Sequence, residues 1–231
     1  MSFIEFHQQP DGELVGLAAY EADPDWDLNP PSNSDGLLHP RVHADGGTGA
    51  WIVFDRQQNL WGAVVRSQAA PFNDCLPPGE TLFLEGFRSG GSFEEVLENL
   101  KDLNEEAFAN PFEALLVDRD AGTLVRFHGS FQSERTNQPP GRWRLDDRQS
   151  LESFAEDEWW GFPDGPDSAP SIEQLTNRVS LEDLRNHGTN DGIRELRTVL
   201  IFRWTEESIE LRSANVLDSS LDWSNSELVP P

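Results

Sequence analysis

The chain of 231 residues carries 42 Asp and Glu against 17 Lys and Arg, a net charge of -25 with an isoelectric point near 4.3. A surface of that sign repels nucleic-acid phosphates and anionic lipid headgroups, so neither nucleic acid nor a membrane is an expected partner. Hydrophobic residues make up only 36%, but 8 Trp and 14 Phe supply core material that a disordered chain lacks, and one folded domain over residues 1–231 is expected.

Lys101 is the only lysine, so positive charge rests on arginine, the side chain suited to planar, bidentate pairing with carboxylates. A surplus of acid with almost no lysine reads as adaptation of the whole surface to high ionic strength, where screening relieves self-repulsion. Cys75 is the sole cysteine, which excludes an intrachain disulfide and zinc-finger spacing; a lone thiol is more often a small buried hydrophobe than a nucleophile. The N-terminus has no basic region leading into a long apolar core, and nowhere do about 18 apolar residues run together. A cytoplasmic protein is the expectation.

Ser2 to His7 alternates like a strand, Pro10-Asp11-Gly12 signals a turn, and Leu14 to Tyr20 is a second apolar run, together a hairpin. Glu21 to Asp45, rich in Asp, Pro, Asn and Ser, reads as a long surface loop of the kind that borders function. Within it Asp23, Asp25 and Asp27 alternate like the start of a calcium loop, but Leu28 stands where such a loop requires Gly and Ser34 where it requires Glu. His39 and His43 are four apart, yet Pro40 argues against the helix that would align them on a metal. They read as polar loop residues, and no metal site is expected.

Gly46 to Arg66 is the most legible stretch. Ala50 to Asp55 and Leu60 to Arg66 are nearly continuous apolar runs around the polar turn Arg56 to Asn59, a hairpin whose two faces should both be covered. Gly46, Gly47 and Gly49 let backbone pass where side chains would clash, which serves either a ligand or a tight turn.

Ser67 to Gly79 is irregular. Ser92 and Glu95 make a capping box ahead of Phe93, Val96, Leu97, Leu100 and Leu103, a helix that should end near Asn110-Pro111. Phe112 to Asp118 and Thr123 to His128 form a strand pair around Arg119 to Gly122. Gln132 to Pro170, with Pro139-Pro140-Gly141, an acidic run at 156–158 and Trp159-Trp160, reads as a lid or an insertion. The paired tryptophans make either an exposed contact patch or a covered core edge. Ser171 to Asn186 carries two short helices around Ser180, Leu196 to Trp204 and Ser208 to Val216 form a last hairpin, and the tail from Asp218 is polar. His7 and His128 sit at strand ends and either meet or satisfy separate hydrogen bonds. Strand pairs separated by two helical zones imply packed antiparallel sheets with helices on their outer faces.

Three stretches stand out in this order: Met1-Ser2-Phe3-Ile4, Leu17-Ala18-Ala19-Tyr20-Glu21-Ala22-Asp23, and Gly46-Gly47-Thr48-Gly49-Ala50-Trp51-Ile52-Val53. They are followed by the Ser92 to Asn104 helix after a Phe-rich strand, by Asn110 to Asp118, Pro140-Gly141 and Arg197-Thr198-Val199-Leu200. The chain thereby resembles the NRDE family, also called the transport and Golgi organization 2 family, over roughly residues 1 to 145 and 194 to 217. That family begins Met-Cys, closes its first strand pair on Ala-Ala-Asn-Arg-Asp-Glu and continues into a Gly-Gly-Thr-Trp hairpin.

The resemblance implies an α+β fold of the N-terminal-nucleophile hydrolase type, a four-layer αββα sandwich of two antiparallel sheets with outer helices. In that chemistry the residue exposed by methionine removal is the nucleophile, and its α-amine, titrating at about 7.7 to 8.0, is the base. Here that residue is Ser2, whose hydroxyl is far harder to deprotonate than a thiol. Arg197, or Arg194 in a slipped register, is the implied partner for substrate charge, and Gly46, Gly47, Thr48, Trp51 and Glu21 are the implied ligand-binding set. The signature Asn-Arg-Asp-Glu falls on Tyr20, Glu21, Ala22 and Asp23, so an acid replaces the arginine and would oppose a developing oxyanion. The expectation is a divergent member with lost or weakened amide hydrolysis and a small-molecule-binding role, with no cofactor and with haem as a remote candidate ligand. The alternative is an active hydrolase of linear C–N amide bonds with Ser2 attacking. The Gly46 to Arg66 hairpin is expected beside the N-terminal strand in the central sheet.

Overall fold

The structure, a computed structural model, describes residues 3–9, 11–22, 25–44, 47–65, 77–107, 112–128, 132–137, 141–146, 152–153, 170–182, 184, 195–216, 220–224 and 227–229. Strands β1 (Phe3–Gln8) and β2 (Leu14–Ala22) form the expected N-terminal hairpin. Next come β3 (Asp27–Ser34), β4 (Leu37–Ala44), the short β5 (Gly47–Gly49), β6 (Ile52–Asp55) and β7 (Leu60–Val65). Helices α1 (Gly79–Ser89) and α2 (Phe93–Ala107) follow, then β8 (Glu113–Asp118), β9 (Thr123–His128), β10 (Gln132–Asn137), β11 (Gly141–Asp146) and β12 (Glu152–Ser153). The helix α3 (Ile172–Arg178) precedes β13 (Glu195–Trp204), β14 (Ile209–Val216), β15 (Leu221–Trp223) and β16 (Glu227–Val229).

The architecture is α+β, with two antiparallel sheets that belong to two compact units, Met1–Pro24 with Pro140–Pro231, and Asp25–Pro139. In the first unit the strand order is β12-β11-β1-β2-β13-β14-β15, with β16 also on β14. Val15, Leu17, Ala19, Val199 and Ile201 alternate onto one side of this sheet and pack with Ile172 and Leu175 of α3 and with Leu184. The other side, with Ile4, Phe6, Ala18, Tyr20, Leu200, Phe202 and Trp204, is buried as well. Both sides of the sheet are therefore shielded from water.

Helix α3 is only two turns long and depends on its cap. The Ser171 hydroxyl accepts from the Gln174 amide at 3.2 Å, and the Gln174 side-chain oxygen accepts from the Ser171 amide at 2.8 Å, a complete capping box. Ser171→Ala should lower stability by about 1 kcal/mol, read as a lower urea midpoint at unchanged slope. On the other side of the same sheet, Gly16 lies under the Phe202 ring, and a β-carbon there would come within 2.2 Å of its tip. Gly16→Ala should destabilise by about 1 to 3 kcal/mol, because the buried ring must tilt to admit a methyl group.

In the second unit the order is β10-β9-β8-β7-β6-β4-β3, with β5 also on β4. Leu37, Val53, Leu60, Val64, Ala114, Leu116 and Val125 form the side that packs against α1 and α2, meeting Leu82, Phe83 and Phe87 of the first helix and Phe93, Val96, Leu97 and Leu100 of the second. The expected cap of α2 is present in shifted form: Glu95 N–H donates to the Ser92 hydroxyl at 3.4 Å, but the Glu95 carboxylate reaches back to Gly91 N–H, at 2.7 Å. The predicted end of this helix, at Asn110-Pro111, lies outside the described residues.

Several expectations are corrected. Residues 25–44 of the supposed loop are the β3–β4 hairpin, closed by Asp35 at φ 57° and Gly36 at φ 82°, the left-handed pair that a tight two-residue hairpin turn requires. Pro30 and Pro31 disguised it. They are tolerated because β3 is an edge strand, where a missing N–H leaves no partner unsatisfied, and the ladder shifts register between Leu28 and Pro31. The Phe-rich segment before Ser92 is helix α1, not a strand: Thr81, Phe83 and Phe87 favour strands, but Leu82, Phe83, Gly86 and Phe87 make one buried helical face against α2 and the sheet. Residues 132–137 and 141–146, expected within a lid or insertion, are β10 on β9 and β11 on β1. The tail expected to be merely polar contributes β15 and β16 to the edge of β14. The Gly46 to Arg66 hairpin does not pair with the N-terminal strand: β1 is flanked by β2 and β11, whereas β6 and β7 belong to the other sheet.

Candidate functional site

Antiparallel pairing brings four chain segments to one end of the first sheet. Phe3, at the start of β1, is opposite Ala19 of β2 on one side and Asp146 of β11 on the other. The end of β2, Tyr20 to Ala22, lies against the beginning of β13, with Ala22 opposite Glu195, Glu21 opposite Leu196 and Tyr20 opposite Thr198. Arg197 sits in the irregularity between Leu196 and Thr198, where the ladder skips a residue and the strand can re-aim a side chain. The sequence-derived pair Glu21 and Arg197 is thus assembled at the same sheet end as the start of β1. Ser2 and Arg194 lie outside the described residues.

Glu21 is 7% exposed and shares the side of the sheet that carries Ala19 and Leu196 against α3. Tyr20, fully buried, and Thr198 take the opposite side, the one that also carries Ile4 and Ala18. The Thr198 hydroxyl donates to the Ala214 carbonyl at 3.0 Å, which ties it to β14 as a structural bond. Glu195 is exposed and Arg197 half-buried, so the junction of β2 and β13 carries the carboxylates of Glu21 and Glu195 beside the guanidinium of Arg197. A net negative local charge does not favour a developing oxyanion; it suits a neutral or cationic group.

The remaining ligand-binding candidates belong to the second unit. Gly47 and Thr48 are exposed on β5, and the Thr48 hydroxyl is 2.9 Å from His43 Nδ1 across the β4–β5 ladder. Gly49 abuts the start of α1, and Ala50 N–H donates to the Glu80 carbonyl at 3.0 Å. Trp51 is 3% exposed, and its carbonyl accepts from Val64 N–H at 2.7 Å. Of the two uses open to these glycines, the structure gives Gly49 a packing one. Gly46 lies outside the described residues.

Other sequence candidates distribute as follows. His39 and His43, expected in a loop, both stand on β4, His39 wholly buried and His43 exposed and opposite Asp27. His7 is a buried residue of β1, and His128 closes β9. Asp23, Cys75 and Trp159-Trp160 lie outside the described residues. Among the described residues no group of three or more His, Cys, Asp or Glu could hold a metal ion, and no helix is long and apolar enough to cross a membrane.

Sequence reasoning missed Glu5, which alternation assigns to a solvent side but which is 3% exposed and paired with Arg144 of β11 at 3.3 Å. The signal existed only in the long-range pairing of β1 with β11. It also missed Asp55, 6% exposed on the helix side of β6, whose carboxylate accepts from Gln58 N–H at 3.1 Å to hold the β6–β7 turn. Compared with family profiles and with curated proteins, the chain matches none.

Proposed function

We propose that this chain is a divergent NRDE-like protein that has lost efficient hydrolysis of amides and instead binds a small molecule. Glu21 carries the reading. A nearly buried carboxylate occupies the position onto which the family's signature arginine falls, and fully buried Tyr20 occupies that of the signature asparagine. An acid in that place removes the cation that would stabilise a tetrahedral intermediate and adds a charge of the opposing sign. With the carboxylates of Glu21 and Glu195 beside one arginine at the β2–β13 junction, the preferred ligand is neutral or cationic.

The competing reading is an active linear-amide hydrolase in which Ser2 attacks, its own α-amine serves as base and Arg197 steadies the substrate. Its support is the gathering of the β1 start and Arg197 at one sheet end. An amidase screen of the purified chain and of Ser2→Ala, with mass spectrometry of the mature N-terminus, separates the two. The expected result is the same background turnover in both proteins, with thermal shifts produced by neutral or cationic compounds. Turnover lost on Ser2→Ala in a protein lacking Met1 would establish the hydrolase and sink the binding-only reading.

A further inference from the structure

His39 is wholly buried on β4, on the side of the second sheet that carries Leu37 against α1. Its Nδ1 is 3.3 Å from the Pro40 carbonyl oxygen, an acceptor, so Nδ1 carries the proton of the neutral ring and donates it. Nε2 is then a bare acceptor, and it has no hydrogen-bond partner among the described residues. Three elements bring charge to the ring. They are Arg88 from α1, Arg41 from β4 itself and Asp35 from the β3–β4 turn. Arg88 is in turn held by Glu85 at 2.7 Å and by Asp35 at 3.7 Å. Across the ladder in β3 the neighbour of His39 is the neutral Ser32, and the acid on the β6 side, Asp55, is committed to Gln58.

We propose that His39 is an acid-sensitive latch between β4 and α1, whose protonation at Nε2 loosens the Arg88 end of α1 and the β3–β4 hairpin. Protonation places a donor and a full charge where no acceptor among the described residues awaits them, facing two guanidinium groups. Burial, and then the fields of Arg88 and Arg41, hold the imidazole pKa below its ordinary 6.5, against the opposing pull of the Pro40 carbonyl and Asp35. Because the folded value lies below the unfolded one, the contribution to stability is complete above 6.5, declines as pH falls towards the folded value, and levels off below it. Asp55 works with the opposite sign. Burial raises its carboxyl pKa, so acidification through that range stabilises the fold and cannot mimic the latch.

The test is hydrogen exchange of the α1 backbone amides, expressed as protection factors, together with an NMR titration of the His39 ring in the full chain. Below pH 6.5, α1 protection in the native protein should fall by up to about tenfold per pH unit, one proton being taken up on opening, and should stop falling where the His39 ring titrates. His39→Gln should abolish that acid-dependent loss. Should His39→Gln fail to fold, Arg88→Gln provides the second arm: with one facing guanidinium gone, the ring should titrate at higher pH and the loss of protection should level off sooner. A ring that titrates at its ordinary value, or α1 protection that follows the same pH profile in the native protein and in whichever variant folds, would overturn the proposal.

Discussion

Gly49→Ala should destabilise the protein by about 3 kcal/mol or more and free the start of α1 from the second sheet. A β-carbon on residue 49 would lie 2.3 Å from the Glu80 backbone carbon, with the Glu80 oxygen and the Thr81 nitrogen each at 2.5 Å. None of these is the tip of a side chain that can swing aside. Relief requires β5 and the first turn of α1 to separate. That separation breaks the 3.0 Å bond from Ala50 N–H to the Glu80 carbonyl, at about 0.5 to 1.5 kcal/mol net, and opens the apolar contacts beneath Leu82 and Phe83. The loss should exceed that of Gly16→Ala, where the obstacle is a ring able to tilt. Urea melts of both variants supply the comparison, and the difference should appear in the midpoint with little change in slope. A Gly49→Ala protein within about 0.5 kcal/mol of the native one would mean that α1 does not rest on this strand.

The ease of reading this fold depended on how local each cause was. The β1–β2 and β6–β7 hairpins, α2 and the β13–β14 pair were legible because periodicity and turn chemistry lie within a dozen residues of one another. The β3–β4 hairpin was concealed because Pro30 and Pro31 contradict a strand unless that strand is an edge, and edge position is a property of the whole sheet. Helix α1 was hidden because Thr81, Phe83 and Phe87 favour a strand until α2 and the sheet provide one side on which to bury them. The glycines at 46–49 were recognisable as a place of close approach, but not what approached. For Gly49 it is the backbone of Glu80 and Thr81, over 30 residues further along the chain. At the sheet end, Glu21 and Arg197 were picked out only by the family resemblance, whereas their junction depends on the β2–β13 ladder and its irregularity, which no local pattern encodes.

Raising potassium chloride from about 10 mM to about 1 M should increase unfolding free energy by a few kcal/mol, because the Debye length contracts from roughly 30 Å to 3 Å. A net charge of -25 sets the sign: the compact state holds the surplus acids closer together than the unfolded chain does, so screening relieves the native state more. Helix α2 shows the local form of this strain. Glu94, Glu98 and Asp102 follow one another at i, i+4 and i+8 on its exposed side, and each like-charge pair at that spacing costs about 0.2 to 0.5 kcal/mol when unscreened. Arg135 relieves it at one end, where it pairs with Glu94 at 2.5 Å. Arg126 is paired with Glu113 at 2.7 Å in a half-buried position, and Arg144 with Glu5, so part of the positive charge is spent away from the surface surplus. Glu98→Gln should accordingly stabilise α2 in dilute buffer by about 0.2 to 0.5 kcal/mol, two such pairs being removed while the favourable i,i+3 attraction of Glu98 to Lys101 is lost with them, and should confer almost nothing at 1 M salt. Screening saturates once the Debye length is shorter than the spacing between charges, whereas preferential exclusion continues to rise with concentration, so the shape of the salt curve identifies the cause. Urea midpoints that stay flat from 10 mM to 1 M, with Glu98→Gln equally neutral at both ends, would show that the acidic surface imposes no electrostatic burden on the fold.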